Sequence, residues 1–353
     1  MLKGKIMIKD VLDERSKKVL CAVVESYIKH LEPVGSRFVT RRYPLGCSSA
    51  TIRNIMADLE DIGFLSQPHT SAGRVPTDKG YRFYVDYILA IKEIDHDEES
   101  EEFFKKFDSQ LDNTSKDLNK IFLEATNALS TLSNYIGVIT PPRPECTTFN
   151  RLELIRYRSE QVVAILLTNE GIIKNKVISI PPSYSQDDLN KIVDYLNKEY
   201  AGYPLDRIMF LLKEKISSEK VQYNDLINRT IKIYQEALSI VAEDIFVSNL
   251  YDAINLPDFS DISKIKELSK TIKDRHLLLK LLNEFSDIEG VQVIIGDENP
   301  ISELKGLSIV ASAYKEGQRN MGVIALLGPK RMNYSKSIYI VENIAKLISR
   351  TFD

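Results

Sequence analysis

The sequence predicts an α+β protein with several domains. Its 353 residues exceed the roughly 100–200 residues of a usual domain. Stretches with apolar residues at helical spacing alternate with short segments that are rich in β-branched residues and bounded by turn residues. The proportions of 43% hydrophobic and 27% charged residues are typical of a globular protein that buries a sizeable core.

Charge is distributed unevenly along the chain. The whole sequence has a formal net charge of −3. Residues 1–90 nevertheless hold 14 Lys and Arg against 10 Asp and Glu, a balance of +4, so the remainder carries −7. A mildly basic first quarter on an acidic remainder concentrates attraction to a polyanion such as DNA at one end of the molecule.

Two short helices joined by a tight turn are predicted over residues 36–62. Pro44 disfavours helical geometry in the residue before it, so the first helix should end near Tyr43. After a short turn, Ser48 or Ser49 can cap the second helix. That helix has apolar residues at helical spacing on the side that should be buried: Ile52, Ile55, Met56, Leu59 and Ile62.

The opposite side of the second helix is polar, and its surroundings are basic. Between Pro33 and Ala57 there are four arginines and no acid. Small polar residues at a helix N-terminus, with arginines around them, suit insertion into the major groove of DNA. Groove contacts are expected from Ser48, Ser49, Thr51, Arg53 and Asn54. Further DNA-binding candidates lie in the first helix, where the arginines should neutralise phosphates: Ser36, Arg37, Arg41 and Arg42.

Residues 64–67 and 74–76 are predicted to form two short strands, joined by a turn that contains a proline and a glycine. No acid occurs between Ile62 and Thr77. The strands are therefore expected to form a basic hairpin, or wing, with three more DNA-binding candidates: His69, Ser71 and Arg74. The alternative is an ordinary helical hairpin whose basic face is merely solvated.

Helices on either side complete an N-terminal domain. Asp13 can cap a helix that runs to His30, and Thr77 can cap one that runs through Leu89. The aromatic residues of the latter are expected in the core rather than stacked on bases. Together with the central helices and the wing, they predict a winged helix-turn-helix DNA-binding domain over residues 1–92.

The next part of the chain is predicted to be one long helix. An acidic run at residues 95–102 is expected to be a solvated linker or the start of a helix. A helical pattern then continues to about Tyr135, followed by a strand at residues 136–140. Heptad spacing leaves a coiled coil open, but packing of the helix on its own domain is favoured.

Residues 147–248 are predicted to form a separate α+β unit. Three β-segments follow one another through short turns, which indicates an antiparallel meander: Leu152–Arg158, Gln161–Thr168 and Ile172–Ile180. Helices should then start at Ser185, which has Asp188 as a capping-box partner, and at Pro204. A third helix is expected from Asp225 to about Val247.

The C-terminal part changes pattern again. Helices are predicted near residues 262–273 and 276–284, and a closing helix from Ser335 to Phe352. Between them lie three predicted strands: Val291–Ile295, Leu307–Ala313 and Met321–Leu327. Strands with flanking helices in this order are consistent with a GAF-like sensor domain.

No pattern for catalysis or for metal or cofactor binding is found. GxxxxGK[ST], HExxH and GxSxG are all absent. The loop at residues 317–322 is the best candidate for gripping a ligand, yet an ordinary turn explains it. The three cysteines and four histidines are scattered, so reduced thiols are expected rather than disulfides. We therefore expect no enzyme, no cofactor and no metal. No apolar run exceeds six residues, so we expect no membrane span or signal peptide and a cytoplasmic location.

Four segments between Glu32 and Leu89 are long and specific: EPVGS at 32–36, SATIRN at 49–54, MADLE at 56–60 and PHTSAGR at 68–74. In these segments the chain closely resembles the heat-inducible transcription repressor HrcA family. Ile55 is a departure, because the family often has an acidic residue there. Beyond Leu89 the resemblance lies more in layout than in motifs.

The resemblance implies a homodimeric repressor of heat-shock (chaperone) operons that binds an inverted-repeat operator in double-stranded DNA and is released on heat stress. It implies a GAF-like domain, here residues 93–146 and 249–353, split by an inserted dimerisation domain at residues 147–248. The chaperonin GroEL is implied as the partner that keeps the repressor folded. The alternatives are a small-molecule-gated regulator, with the GAF-like domain as sensor, and an enzyme controlled through its DNA-binding head.

Overall fold

In the computed structural model, the described residues of the N-terminal part, which we call the head, form four helices and a two-stranded ribbon. The structure describes residues 12–69, 72–91, 98–113, 117–180, 184–218, 233–234, 245–248, 269–270, 272, 274–285, 287 and 289–352. The elements of the head are α1 (Glu14–His30), α2 (Ser36–Arg42), α3 (Ser49–Asp61), β1 (Leu65–Ser66), β2 (Val75–Pro76) and α4 (Asp78–Ile91).

Side-chain caps fix where three of these helices begin. Amides in the first turn of a helix have no partner within the helix, and a cap supplies one. Each predicted cap accepts a hydrogen bond from such an amide: Asp13 from Ser16 (2.8 Å), Ser48 from Thr51 (3.1 Å) and Thr77 from Gly80 (3.2 Å). All three predicted caps are confirmed.

The head has an apolar core between α1, α3 and α4. The aromatic residues of α4 that were expected in this core, Tyr81 and Tyr84, are buried there. The prediction that Ile62 is buried is wrong, because its side chain is 41% exposed. The helix ends at Asp61, and Gly63 then turns the chain with a φ of +80°, so Ile62 lies beyond the helical face.

The ribbon is shorter than predicted, since among its described residues only Leu65–Ser66 and Val75–Pro76 pair. At the ends of the predicted strands, backbone and side-chain groups form hydrogen bonds with partners outside the opposite strand. The amide of Arg74 donates to the Val34 carbonyl at 2.9 Å, and the Val34 amide donates back at 2.8 Å. The side-chain amide of Gln67 donates across the turn to the carbonyl of Ala72 at 2.8 Å.

The segment predicted as one long helix consists of two, α5 (Glu98–Asn113) and α6 (Leu118–Ser133). The single helix is a wrong prediction because Asp117 caps α6, with its carboxylate accepting from the amide two residues on at 3.0 Å. Short polar side chains that bond the nearby backbone favour helix starts over helix interiors. Phe104 of α5 packs against Tyr339 with ring centroids 5.7 Å apart. This contact agrees with packing on the same domain.

A five-stranded antiparallel sheet forms the centre of what we call the body, the described residues of 98–148 and 245–352. Its strands and remaining helices are β3 (Ile136–Ile139), β7 (Phe246–Ser248), α9 (Arg275–Asn283), β8 (Val291–Ile295), β9 (Leu307–Glu316), β10 (Arg319–Pro329) and α10 (Tyr334–Arg350). The strand order is β7–β3–β10–β9–β8. α6 and α10 cover one face of the sheet and α9 covers the other, so strand residues of both faces are buried. The turn at Gly317, between β9 and β10, is the ordinary turn expected there.

Val247 lies in β7, so the prediction of a helix reaching it is wrong at that end. A short apolar run fits helix or strand equally well by periodicity. Here pairing decides, because Phe246 lies beside Ile139 and Ser248 beside Gly137. Most of the rest of that predicted helix, and most of the one at residues 262–273, lie outside the described residues.

A third part, which we call the insert, has its own sheet and core. Its elements are β4 (Phe149–Arg158), β5 (Gln161–Thr168), β6 (Ile173–Ser179), α7 (Gln186–Tyr200) and α8 (Leu205–Ser218). The strands form the predicted meander in the order β4–β5–β6. Ser185 and Asp188 form the predicted capping box at the start of α7. One sheet face packs on α7 around Leu152, Leu166 and Leu196.

Candidate nucleic-acid interface

α3 has one buried face and one exposed face. Ile52, Met56 and Leu59 are no more than 4% exposed and hold the helix against α1 and α2. Three predicted groove-contacting residues are exposed on its other side: Thr51, Arg53 and Asn54. Ile55, the departure from the family pattern, is half-buried against the core, so its side chain belongs to the packed face.

The N-terminus of α3 is open to solvent. Ser48 is exposed and Ser49 is half-buried. The Ser48 and Thr51 hydroxyls lie 2.9 Å apart, and Ser48 also caps the helix. Unpaired first-turn amides and the helix dipole make such an end attractive to anions. The start of α3 therefore offers hydroxyl, amide and guanidinium donors within one exposed turn.

α2 adds positive charge beside α3. Val39 is fully buried and fixes α2 against the core, while Arg37, Arg41 and Arg42 are exposed. Ser36 is half-buried, and its carbonyl accepts a hydrogen bond from the Thr40 hydroxyl at 2.8 Å. Within the described part of the chain, none of these arginines nor Arg53 forms an ion pair with an acid. Their charge is thus available to a polyanion.

Tyr43 ends α2 without adding charge. Its hydroxyl accepts a hydrogen bond from Ser26 at 3.2 Å, which ties the end of α2 to α1. Burial raises the pKa of Tyr43 above its ordinary value, so the phenol is neutral at physiological pH.

The wing residues are placed differently from one another. Arg74 is half-buried, and its Nε lies 2.7 Å from a carboxylate oxygen of Glu60 near the end of α3. This pair ties the wing to α3, which gives Arg74 a structural role. Its predicted phosphate contact stays a prediction. His69 is exposed near the turn. Ser71 lies outside the described residues.

Lys79 supports α3 in a way that the sequence did not indicate. Its ammonium donates to the carbonyl of Ile62 at 2.9 Å and lies 4.4 Å from the centre of the Phe64 ring. A cation is favourable at the carbonyl end of a helix. The only sequence signal would have been a lysine soon after the wing, since the contact joins residues 17 apart in the chain.

The described part of the chain shows no group of three or more histidines, cysteines or acids placed to hold a metal ion. Cys21 and Cys146 are buried and Cys47 is half-buried, and none of the three forms a disulfide. No helix among the described residues is long and apolar enough to cross a membrane.

Comparisons with known proteins cover almost the whole chain. A family model described as "HrcA protein C terminal domain" matches residues 119–338. A heat-inducible transcription repressor HrcA of Thermodesulfovibrio yellowstonii is 48% identical over 97% of this chain and 98% of its own length. The protein of the same description from Geobacter sulfurreducens is 36% identical over 97% of this chain and 98% of its own length.

One crystal structure, described only as that of a hypothetical protein, is similar with a TM-score of 0.64 and 26% identity. The similarity covers 97% of this chain and 98% of that one, so head, body and insert all have counterparts in a single solved chain. The family model spans more than half of the sequence, and each of the two relatives matches 97% of it. The chain therefore belongs to the heat-inducible transcription repressor HrcA family.

Proposed function

We propose that this protein represses transcription by binding double-stranded operator DNA through α3. The observation that carries the proposal is the division of α3, with Ile52 and Leu59 buried on one side and Arg53 and Asn54 exposed on the other. A helix anchored in this way can place its polar N-terminal half in a major groove. The described function of the relatives, transcription repression, supports the same conclusion. Such a role places the protein with the DNA, in the cytoplasm.

We propose that the head, with the domain bounds 1–92, acts as a winged helix-turn-helix. In this arrangement Ser48, Ser49, Thr51, Arg53 and Asn54 contact base edges. Phosphate contacts come from Arg37, Arg41 and Arg42, with Ser36, His69 and Ser71 as further contacts. Arg74 adds a phosphate contact from the wing and also holds the wing in place through Glu60, whose carboxylate lies 2.7 Å away.

Selection of DNA by the full-length protein tests this function. Wild-type protein should enrich an inverted repeat from a random duplex library. The double variant Arg53→Ala/Asn54→Ala should enrich no repeat, because it removes the donors that read base edges. Lys346→Ala, which changes an exposed lysine on α10, should select as wild type does. The proposal is contradicted if wild type enriches no sequence or the double variant selects the same one.

We propose further that the protein binds DNA as a homodimer formed through the insert. One face of the insert's sheet packs on α7, and the other bears exposed apolar side chains. The register aligns Ile155, Val163 and Val177 in one row across the three strands. Ile155 is 51% exposed and Val177 49% exposed. An apolar face of this kind is typical of interaction sites, and a second copy meets an inverted repeat with matching two-fold symmetry.

Introducing carboxylates on this face tests whether it forms the dimer interface. Ile155→Asp/Val177→Asp would leave carboxylates unpaired in an apolar interface, which is strongly unfavourable. The variant should sediment as a monomer and bind the selected duplex much more weakly than wild type. Leu31→Asp is the control, since Leu31 is an exposed apolar residue of the head, and it should remain dimeric. A dimeric double variant would place the interface elsewhere.

The path of the chain supports the proposal of a GAF-like domain, residues 93–146 and 249–353, split by an inserted domain at about 147–248. The end of β3, at Ile139, lies beside the start of β7, at Phe246. The chain therefore leaves the five-stranded sheet and returns to it at one point, as expected for an insertion. Because β7 pairs with β3 in this sheet, we propose that the insert ends just before residue 246.

We propose that heat releases the repressor from heat-shock (chaperone) operons, and that the chaperonin GroEL supports its folded form. The description of the relatives as heat-inducible supports the first part, and the family resemblance supports the second. Binding of the selected duplex should be measured against temperature, with and without the chaperonin. Chaperonin should raise the recovered binding activity after heating; equal loss in both samples would point to direct thermal sensing.

A further inference from the structure

α4 is a helix of the head that also contacts the body. It packs on α1 and β2 within the head, and on β8 and α10 of the body. Asp78 and Arg82 lie one turn apart on α4 and so share a face of the helix. Both side chains bond groups of the body. The attachment between head and body therefore rests on charged groups with defined directions.

Asp78 is held by two parts of the body. Its carboxylate oxygens accept hydrogen bonds from the Lys330 ammonium at 2.8 and 2.9 Å. They also accept one from the backbone amide of Asp297 at 3.1 Å. Gly296 makes this approach possible, since a Cβ there would collide with the Asp78 carboxylate, and its φ is +51°. The contact requires a residue without a side chain at that position.

Arg82 is held by a carboxylate and by a strand edge. Its Nε donates to Glu298 at 2.7 Å, and a second guanidinium nitrogen also bonds the same carboxylate. That nitrogen further donates to the carbonyl of Val293, at the edge strand β8, at 2.6 Å. Glu298 is fixed in its own right by the amide of Ile295 at 2.9 Å. Two-point contacts between arginine and carboxylate set orientation as well as distance.

These ion pairs are partly buried. The side chains of Asp78 and Lys330 are 28% and 34% exposed, and those of Arg82 and Glu298 are 22% and 36% exposed. Partly buried pairs are screened less than surface pairs. Beside them Tyr81 meets Tyr334 at 5.9 Å between ring centres. Apolar contact alone has little directional preference, whereas these hydrogen-bonded ion pairs have defined directions.

We propose that the pairs Asp78–Lys330 and Arg82–Glu298, together called the latch, hold the head at one angle on the body. Asp78 and Arg82 are then positioning residues that set which spacing between operator half-sites the dimer accepts. This inference rests on the proposed function, because it requires two heads on one duplex. Each base pair added between half-sites moves one of them by about 3.4 Å along the axis and about 35° around it. A fixed head cannot follow such a shift.

The test uses full-length protein and the duplex selected by wild type. Derivatives have one base pair added or removed at the dyad centre. Wild type should lose about tenfold or more in affinity for either derivative, since the DNA must be twisted to fit. Asp78→Asn/Arg82→Met, which opens the latch, should lose less than about threefold. A purely structural role would weaken binding to all three duplexes equally.

A matched control removes an ion pair of the same chemical type from within the body. Asp108 and Arg350 form a two-point pair at 3.0 Å between α5 and α10, so Asp108→Asn/Arg350→Met should keep the wild-type spacing preference. Lys330→Asp alone should broaden the preference, and Asp78→Lys/Lys330→Asp should narrow it again by restoring opposite charges. If Asp78→Asn/Arg82→Met does not fold, this charge swap still tests whether the latch sets the spacing preference.

The outcomes separate the two proposals. If wild type selects no duplex at all, the proposed function fails. If wild type selects one but the open-latch variants keep the same sharp spacing preference, the function stands and the latch does not set it. If the preference broadens without the latch and narrows with the swapped pair, the latch sets half-site spacing.

Discussion

Arg42 and Arg53 are both exposed arginines of the helix pair, yet they occupy different positions. Arg42 ends α2, whereas Arg53 lies one turn into α3 on its exposed side. The end of α2 suits a contact to phosphates, and the first turns of α3 suit a contact to base edges. Both residues bring one positive charge, but Arg53 should contribute to sequence preference and Arg42 to affinity for any duplex.

We expect Arg53→Ala to weaken binding to the selected duplex by about 1–3 kcal/mol and to relax sequence preference. Arg42→Ala should weaken binding to all duplexes alike and reduce the salt dependence by about one counterion. Gel-shift titrations at two salt concentrations, on selected and scrambled duplexes, measure both effects. Identical behaviour of the two variants would reject the division between base and phosphate contacts.

Gly73 is needed where the wing passes the connection between α1 and α2. A Cβ at this position would lie 2.5 Å from both the carbonyl carbon and the oxygen of Val34. The neighbouring Arg74 forms two backbone hydrogen bonds with Val34. The wing therefore cannot move away from this connection without losing them. A backbone neighbour cannot yield as a flexible side chain could.

Gly73→Ala should destabilise the head by about 1–3 kcal/mol through this overpacking. Hydrogen exchange of the buried amides of α1 reports the stability of the head separately from the body. Gly306→Ala is a suitable control, because a Cβ there has no atom within 4 Å. Unchanged exchange in the Gly73 variant would show that the ribbon moves aside at little cost.

At the scale of single elements, the start of α1 should respond to pH. Hydrogen bonds from Ser16 hold the pKa of Asp13 below its ordinary value of 3.8. Because the folded pKa is the lower one, the cap stabilises the helix above the ordinary pKa and is lost as the pH falls through the folded pKa. The titration of the Asp13 carboxyl by NMR should therefore have a midpoint below 3.8.

Asp13→Asn provides the comparison, since it keeps an oxygen acceptor but cannot titrate. The stability of α1 in this variant should depend less on pH over the acid range. A wild-type midpoint at or above the ordinary value would mean that the cap does not form in solution.

Elements with local signals were predicted well from the sequence. Spacing of Ile52, Met56 and Leu59 together with a hydroxyl at Ser48 was enough to predict α3, because caps and periodicity act within a few residues. Strand β7 was missed because its identity depends on pairing with β3, far earlier in the chain. Arg82 and Glu298 are 216 residues apart, so no local pattern could bring them together. The DNA contacts themselves stay predictions.

At the scale of the whole molecule, affinity for an inverted repeat should depend on holding two heads together. One head offers few base contacts, whereas two linked heads bind the second half-site at a high effective concentration. The insert is proposed to supply that link, and its two ends meet where Ile139 lies beside Phe246. It can therefore be removed without separating neighbouring strands of the five-stranded sheet.

Replacing residues 149–244 with a short glycine–serine linker should give a folded monomer. Far-ultraviolet circular dichroism should show the remaining helices and sheet, and sedimentation should show one chain per particle. Affinity for the selected duplex should fall by about 100-fold or more, because the avidity of two heads is lost, while affinity for a single half-site should match that of wild type. A deletion variant that remains dimeric, or that keeps wild-type affinity for the inverted repeat as a monomer, would contradict the role proposed for the insert.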